Sequence, residues 1–134
     1  MGLDMYLIRK DRNGKETELV YWRKANFIHR YFDRLNPPGI ENCKKYRVLK
    51  SQAIILLDKC QRVKKHYLSD TKDVFEKYAK KVLPTEEGFF FGETKYGEWY
   101  IQDVEYTIKQ LLFIIKKWDE ITSDGSKIMY YAWW

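Results

Sequence analysis

Residues 84–118 read PTEEGFFFGETKYGEWYIQDVEYTIKQLLFIIKKW, and the change of pattern inside this stretch decides the fold. From Ile101 onward the apolar residues fall at Ile101, Val104, Ile108, Leu111, Leu112, Ile115 and Trp118. That spacing of three and four predicts one face of a long helix turned to a core. The SDGS turn at 123–126 must stop it. A second stripe, Tyr100, Asp103, Thr107 and Gln110, lies a quarter turn or more from the first. It is expected to be partly accessible and to face a ligand. Just upstream, the GFFFG run at 88–92 predicts a short buried strand or tight bend between two flexible points.

Working outward, the period changes from helical to alternating. Residues 3–9 alternate as a strand, DRNG at 11–14 is a turn suited to positive φ, and residues 17–22 return as the second strand of a hairpin. Phe27, Ile28, Tyr31, Phe32 and Leu35 then mark a helix, with Trp22, Asn26, His29 and Asp33 on the neighbouring face. NPPG at 36–39 ends it, and residues 40–47 are a loop or short strand. Ser51 is the expected cap of a helix reaching about His66, with Ala53, Leu56, Leu57, Cys60, Val63 and Tyr67 inward. Val74, Phe75, Tyr78, Ala79 and Val82 predict a further short helix, stopped before Pro84. KIMYYAWW at 127–134 is the last strand, expected to join the hairpin because so apolar a strand would not stay exposed. The whole is one α+β domain over residues 1–134, a small antiparallel sheet packed with about four helices.

Composition narrows the function classes. A chain of 134 residues, 45% hydrophobic and 17% aromatic, buries a real core and is not disordered. The net charge of +6 is uneven: residues 36–83 carry 12 basic against 5 acidic side chains, residues 84–134 carry 5 against 9. The middle third is thus electropositive, a property of nucleic-acid or nucleotide partners and equally of a solvated lysine-rich helix. Two cysteines are too few for a disulfide framework or a structural zinc site. The first residues do not read as a signal peptide, and no apolar run is long enough to span a bilayer. The expectation is a cytoplasmic protein with no membrane partner.

Four chemistries compete. His29 and Asp33, four apart on one helix, could share a metal ion. Further ligands would come from Asp4, Asp103, Cys43 or His66, which no spacing singles out, so a hydrogen-bonded structural histidine is the commoner outcome and no metal is assigned. Cys43 gains help toward thiolate from Lys44 and Lys45. No base-and-orienter pattern, nucleophile elbow or phosphate loop accompanies it, so no catalytic residue and no cofactor are assigned, and an enzyme ranks below a binding protein. Polynucleotide contacts could come from Lys44, Lys45, Arg47, Lys50, Lys59, Arg62, Lys64 and Lys65. The acidic final third is a poor wall for such a groove, and a nucleic-acid-binding accessory role stays an alternative.

The fourth chemistry is a pocket for a small anionic or nucleotide-like ligand. It needs rings for stacking, a guanidinium for phosphate, and amides or carboxylates for polar edges. Three segments hold these types: Trp22, Arg23 and Lys24 with Asn26, His29 and Asp33; Asn42 with Cys43 and Lys44; and Tyr96, Trp99, Tyr100, Asp103 and Thr107. The expected ligand-binding set is Trp22, Arg23, Lys24, Asn26, His29, Asn42, Tyr96, Trp99, Tyr100 and Asp103. Any one of them alone is more often a cap or a core-edge hydrogen bond; their joint occurrence raises the pocket.

The segments MGLDMYL at the start, YWRKANFIH at 21–29, ENCKKY at 41–46, LPTEEGFFFG at 83–92 and YGEWYIQDVEYT at 96–107 resemble a family of small proteins encoded by bacteriophages and prophages. The likeness spans nearly the whole chain, and it carries no established activity. It implies a phage or mobile-element origin, a bacterial host cell and a role during infection. Small phage proteins without catalytic motifs are often antagonists of host defence, either sponges for nucleotide signals or inhibitors that dock on a host protein. In a sponge, Arg23, Lys24 and mid-chain lysines would balance phosphate. Trp22, Tyr96, Trp99 or Tyr100 would stack on a base, and Asn26, His29 and Asp103 would read polar edges. A docking inhibitor would use exposed aromatics instead. Exposed strand edges would permit a homo-oligomer.

Overall fold

The computed structural model describes residues 2–88 and 91–134. Strands β1 (Asp4–Lys10) and β2 (Glu16–Arg23) form the expected hairpin. The Asp11 carboxylate ties its turn by accepting the amides of Asn13 and Lys15 at 2.9 and 2.8 Å, and Gly14 takes φ 85°. This is an aspartate offering its side chain to its own turn, with glycine where a side chain would be strained.

The last strand, β4 (Lys127–Trp133), pairs antiparallel with β1, and the two-residue β3 (Tyr46–Arg47) closes the order β2-β1-β4-β3. Register puts Met5 opposite Trp22 and Ala132, and Leu7 opposite Val20 and Tyr130. All six are buried and form the inner face. A register shift between Leu7 and Ile8 lets both be buried in succession. On the outer face Tyr6 stacks on Tyr131 at 4.8 Å and tilts against Tyr21 at 5.2 Å, so half-exposed rings cover what no helix covers.

Helices α1 (Asn26–Leu35) and α4 (Glu98–Lys116) close over the inner face. Phe32 of α1 stacks on Tyr130 at 4.2 Å, and Thr107 of α4 accepts a hydrogen bond from the Trp22 indole at 2.9 Å. Helix α2 (Lys50–Ser69) runs antiparallel to α4, with Lys50 beside Asp119 at one end and Lys64 beside Glu105 nearer the other. Helix α3 (Lys72–Val82) buries Phe75 and Ala79 against this layer, and a one-turn α5 (Trp118–Thr122) leads to β4. The fold is α+β as expected, with five helices among the described residues. Among the described residues no helix is long and apolar enough to cross a membrane.

Several local expectations are corrected. Helix α2 starts at Lys50, with Leu49 as its cap residue: the Leu49 amide donates to the Gln52 side chain at 2.9 Å, so Gln52 does the work assigned to Ser51. It continues past His66 to Ser69 because the break comes only at Asp70, whose carboxylate bonds the His66 ring at 2.7 Å. On α4, Leu112 is half exposed and Ile114 takes its place inward, since the stripe drifts with the 3.6-residue turn. Tyr67 and Val74, expected inward, are exposed at the open ends of their helices. Of the GFFFG run, Phe89 and Phe90 lie outside the described residues. The Phe91 amide donates to the Gly88 carbonyl at 3.1 Å, and Phe91 is buried.

Candidate functional site

A concavity of about 570 Å³ opens where β2 hands over to α1 and the 84–97 loop hands over to α4. One wall is Arg23, Lys24, Ala25, Asn26 and Phe27; the other is Trp99, Tyr100, Gln102 and Asp103; Thr85, Gly92, Glu93 and Lys95 complete it. The N-termini of α1 and α4 therefore converge on one space. Neither cap residue, Ala25 or Gly97, makes a side-chain capping bond, so first-turn amides at both ends lack that partner.

Two backbone features shape this corner. Lys24 sits at φ 55°, a left-handed conformation rare outside glycine, and its amide donates to the Leu3 carbonyl at 2.7 Å. Gly92, at φ 86°, passes so close that a Cβ there would lie 2.9 Å from the Lys24 Cβ. Strain at Lys24 and a glycine against it are what bring the loop onto the β2–α1 corner.

Six of the ten expected ligand-binding residues line the cleft: Arg23, Lys24, Asn26, Trp99, Tyr100 and Asp103. Their availability differs. Arg23, Lys24 and Trp99 are exposed, with Trp99 at 70%. The Asn26 side chain is fully engaged: its amide donates to the carbonyls of Phe91 and Glu93 at 3.0 and 2.9 Å, and its oxygen accepts the Glu86 amide at 3.0 Å. It is the clamp that holds the loop, and this corrects its expected role as a reader of ligand edges. Tyr100 is buried, its hydroxyl bonded to the Leu83 carbonyl at 2.8 Å, so it supplies a wall and no stacking face.

Four residues fall elsewhere. Trp22 is buried, its indole N–H spent on Thr107. Tyr96 is buried and bonds the Thr85 amide at 3.0 Å, bracing the loop from behind. His29 is buried, with Nδ1 2.8 Å from the Tyr130 hydroxyl and edge contacts to Phe91 and Trp134. Asn42 holds both backbone groups of Trp134, at 3.0 and 3.1 Å. The stripe Tyr100, Asp103, Thr107 and Gln110 was expected to be accessible. Tyr100 and Thr107 are in fact core: Tyr100 packs against Phe27, Phe75 and Tyr96, and Thr107 meets Trp22 of the sheet.

The other chemistries fare similarly. His29 and Asp33 are each engaged elsewhere: His29 Nδ1 lies 2.8 Å from the Tyr130 hydroxyl, and the Asp33 carboxylate accepts the Ile40 amide at 2.7 Å. Among the described residues no cluster of three metal-ligating side chains occurs. Cys43 is exposed at φ 67°, but Lys44 and Lys45 are paired with Glu41 and Glu16 at 2.8 and 2.7 Å. The mid-chain cations disperse too, as Lys50, Arg62 and Lys64 each pair with a carboxylate on a different part of the surface.

Electrostatically the cleft holds Arg23, Lys24 and Lys95 against Glu93 and Asp103. Burial lifts the Asp103 carboxyl to about 6, so it exchanges its proton just below neutrality. His29 goes the other way: burial lowers it to about 4, against a smaller upward pull from Asp33, and it is neutral at pH 7. The sequence pattern missed Gln102, Lys95 and Thr85 as lining residues. Only the loop path places them, and no periodicity marks it. Comparison with protein-family models, with curated proteins and with solved structures finds no match to this chain.

Proposed function

We propose that this chain binds a small anionic, nucleotide-like ligand in the α1–α4 cleft and acts by holding it. The observation that carries this reading is the meeting of exposed Arg23 and Lys24 with exposed Trp99 over two helix N-termini without side-chain caps. Guanidinium, ammonium and helix N-termini all favour phosphate. An exposed indole supplies a face for a base, worth roughly 1–3 kcal/mol per stacked base. Asp103 offers an acceptor for a sugar hydroxyl or ring amine, and the cleft volume suits a ligand of that size.

The resemblance to phage-encoded proteins gives this a setting. In an infected bacterial cell, holding a nucleotide signal would blunt a host defence. The test is calorimetric titration with 5′-mononucleotides, cyclic oligonucleotides and ADP-ribose derivatives on the wild type and on Arg23→Ala, Lys24→Asn and Trp99→Ala. Binding that all three variants weaken supports the reading. Absence of binding across the panel, or binding indifferent to all three, overturns it.

One observation favours docking on a host protein instead. Trp99, Tyr106 and Phe113 recur seven apart on the exposed side of α4, at 70%, 39% and 63% exposure. Phe113 does not line the cleft. A partner whose capture depends on Phe113 as well as Trp99 would establish docking; ligand binding that needs Trp99 alone would establish the cleft.

A further inference from the structure

A second concavity of about 280 Å³ lies between α1, α2 and the end of α3. It shares Phe27 with the first cleft, and its wall continues through Leu83 and Pro84 to Thr85 of that cleft. Its charged lining is entirely basic: Arg30 and Arg34, one helical turn apart on α1, Lys59 of α2 and Lys81 of α3. Lys59 is partly satisfied, reaching the Val82 carbonyl at 3.4 Å and lying 5.9 Å from the Tyr31 ring centre. Among the described residues no carboxylate comes within ion-pair distance of any of the four. Many other basic side chains among the described residues also lack such a partner, so what sets these four apart is that they line one concavity.

Part of this charge has a structural use. Lys59 and Lys81 stand at the C-terminus of α3, and Arg34 is in the last turn of α1, where cations offset the helix dipoles. That account leaves Arg30 unexplained and does not require the four to share a concave wall. Four cations lining one concavity repel one another, and an anion bound there relieves the repulsion. Glu86 is the nearby carboxylate that feels Arg30 and Arg34, yet burial is the larger influence on it and it forms no ion pair.

We infer that this pocket is a phosphate subsite. Joined to the first cleft across Phe27, it forms a two-lobed site for a ligand carrying at least two phosphates, an oligonucleotide in preference to a mononucleotide. The inference rests on the proposed use of the first cleft for the nucleoside portion. Arg30 and Arg34 would clamp the second phosphate, bidentate where the guanidinium geometry permits, and Lys81 would add a third charge from α3.

The experiment titrates the full chain with thymidine 5′-monophosphate and with a trithymidylate at two salt concentrations. The proteins are wild type, Arg30→Ala/Arg34→Ala and Arg30→Lys/Arg34→Lys. The trinucleotide is expected to bind at least roughly tenfold tighter than the mononucleotide, a typical gain for charge-assisted hydrogen bonds. The double alanine variant loses that gain, keeps its mononucleotide affinity, and shows a salt slope shallower by about 0.7 for each phosphate contact removed. The double lysine variant keeps part of the gain. A wild type without preference for the trinucleotide, or a preference that survives the double alanine change, overturns the inference. If the mononucleotide does not bind at all, inorganic pyrophosphate reads the pocket alone. Loss of its binding in the double alanine variant retains the subsite while the first cleft's reading fails; indifference to that variant overturns the subsite.

Discussion

Gly92 and Lys24 touch backbone to side chain at the edge of the cleft: a methyl on Gly92 would stand 2.9 Å from the Lys24 Cβ, and both residues have positive φ. The loop is thus keyed to the β2–α1 corner by the lack of one side chain. Gly92→Ala is expected to destabilise by about 1–2 kcal/mol from the backbone term alone, more if the contact cannot relax. Lys24→Asn, with a residue that tolerates the left-handed region, should hold or slightly raise the melting temperature while weakening anion binding. Thermal melts with and without ligand separate these effects.

Asn26 spends all three of its bonds on the loop, so Asn26→Ala would leave the Phe91 and Glu93 carbonyls and the Glu86 amide without their partner. At about 1–3 kcal/mol for a stranded buried group, and with water able to reach part of the loop, the loss should be roughly 2–4 kcal/mol. Hydrogen exchange should rise first at residues 85–94, before the sheet.

His29 and Asp103 predict opposing pH dependence. His29 is held neutral down to about pH 4 when folded, against 6.5 ordinarily, so its stability contribution is lost as pH falls from 6.5 to 4. Asp103 keeps its proton up to about pH 6 when folded, against 3.8 ordinarily, so stability is lost as pH rises from 3.8 to 6. The two slopes largely cancel between pH 4 and 6. Asp103→Asn should expose the His29 slope and stabilise at pH 7 by about 1–2 kcal/mol, once solvent contact is allowed for. His29→Gln should expose the opposite slope. Denaturant melts across pH 4–8 check both; parallel curves for the two variants would refute the assignment.

The Thr107 hydroxyl is a relay inside the core, accepting from Trp22 at 2.9 Å and donating to the Asp103 carbonyl at 2.7 Å. Thr107→Val keeps the shape and strands the buried indole N–H, a cost of about 1–3 kcal/mol. Trp99→Ala, by contrast, should change stability by less than about 0.5 kcal/mol, since its ring is largely in solvent.

What the sequence determined by itself was every part where one residue's chemistry or one period suffices. DRNG makes its turn from an aspartate and a glycine; the alternation of β1 and β4 sorts their side chains between two faces; the stripe on α4 finds the core through Ile101, Val104 and Leu111. Arg23, Lys24 and Trp99 could be named as a group from residue type alone. Tertiary structure decided which polar residues stay free. Asn26, His29 and Trp22 are indistinguishable in sequence from binding residues, and they are consumed by partners 60 to 101 positions away. Local pattern has no access to such partners. It could not show that Arg30, Arg34, Lys59 and Lys81, drawn from three helices, share one wall without a carboxylate. Periodicity tells a side chain which way to face; only packing tells it what it meets there.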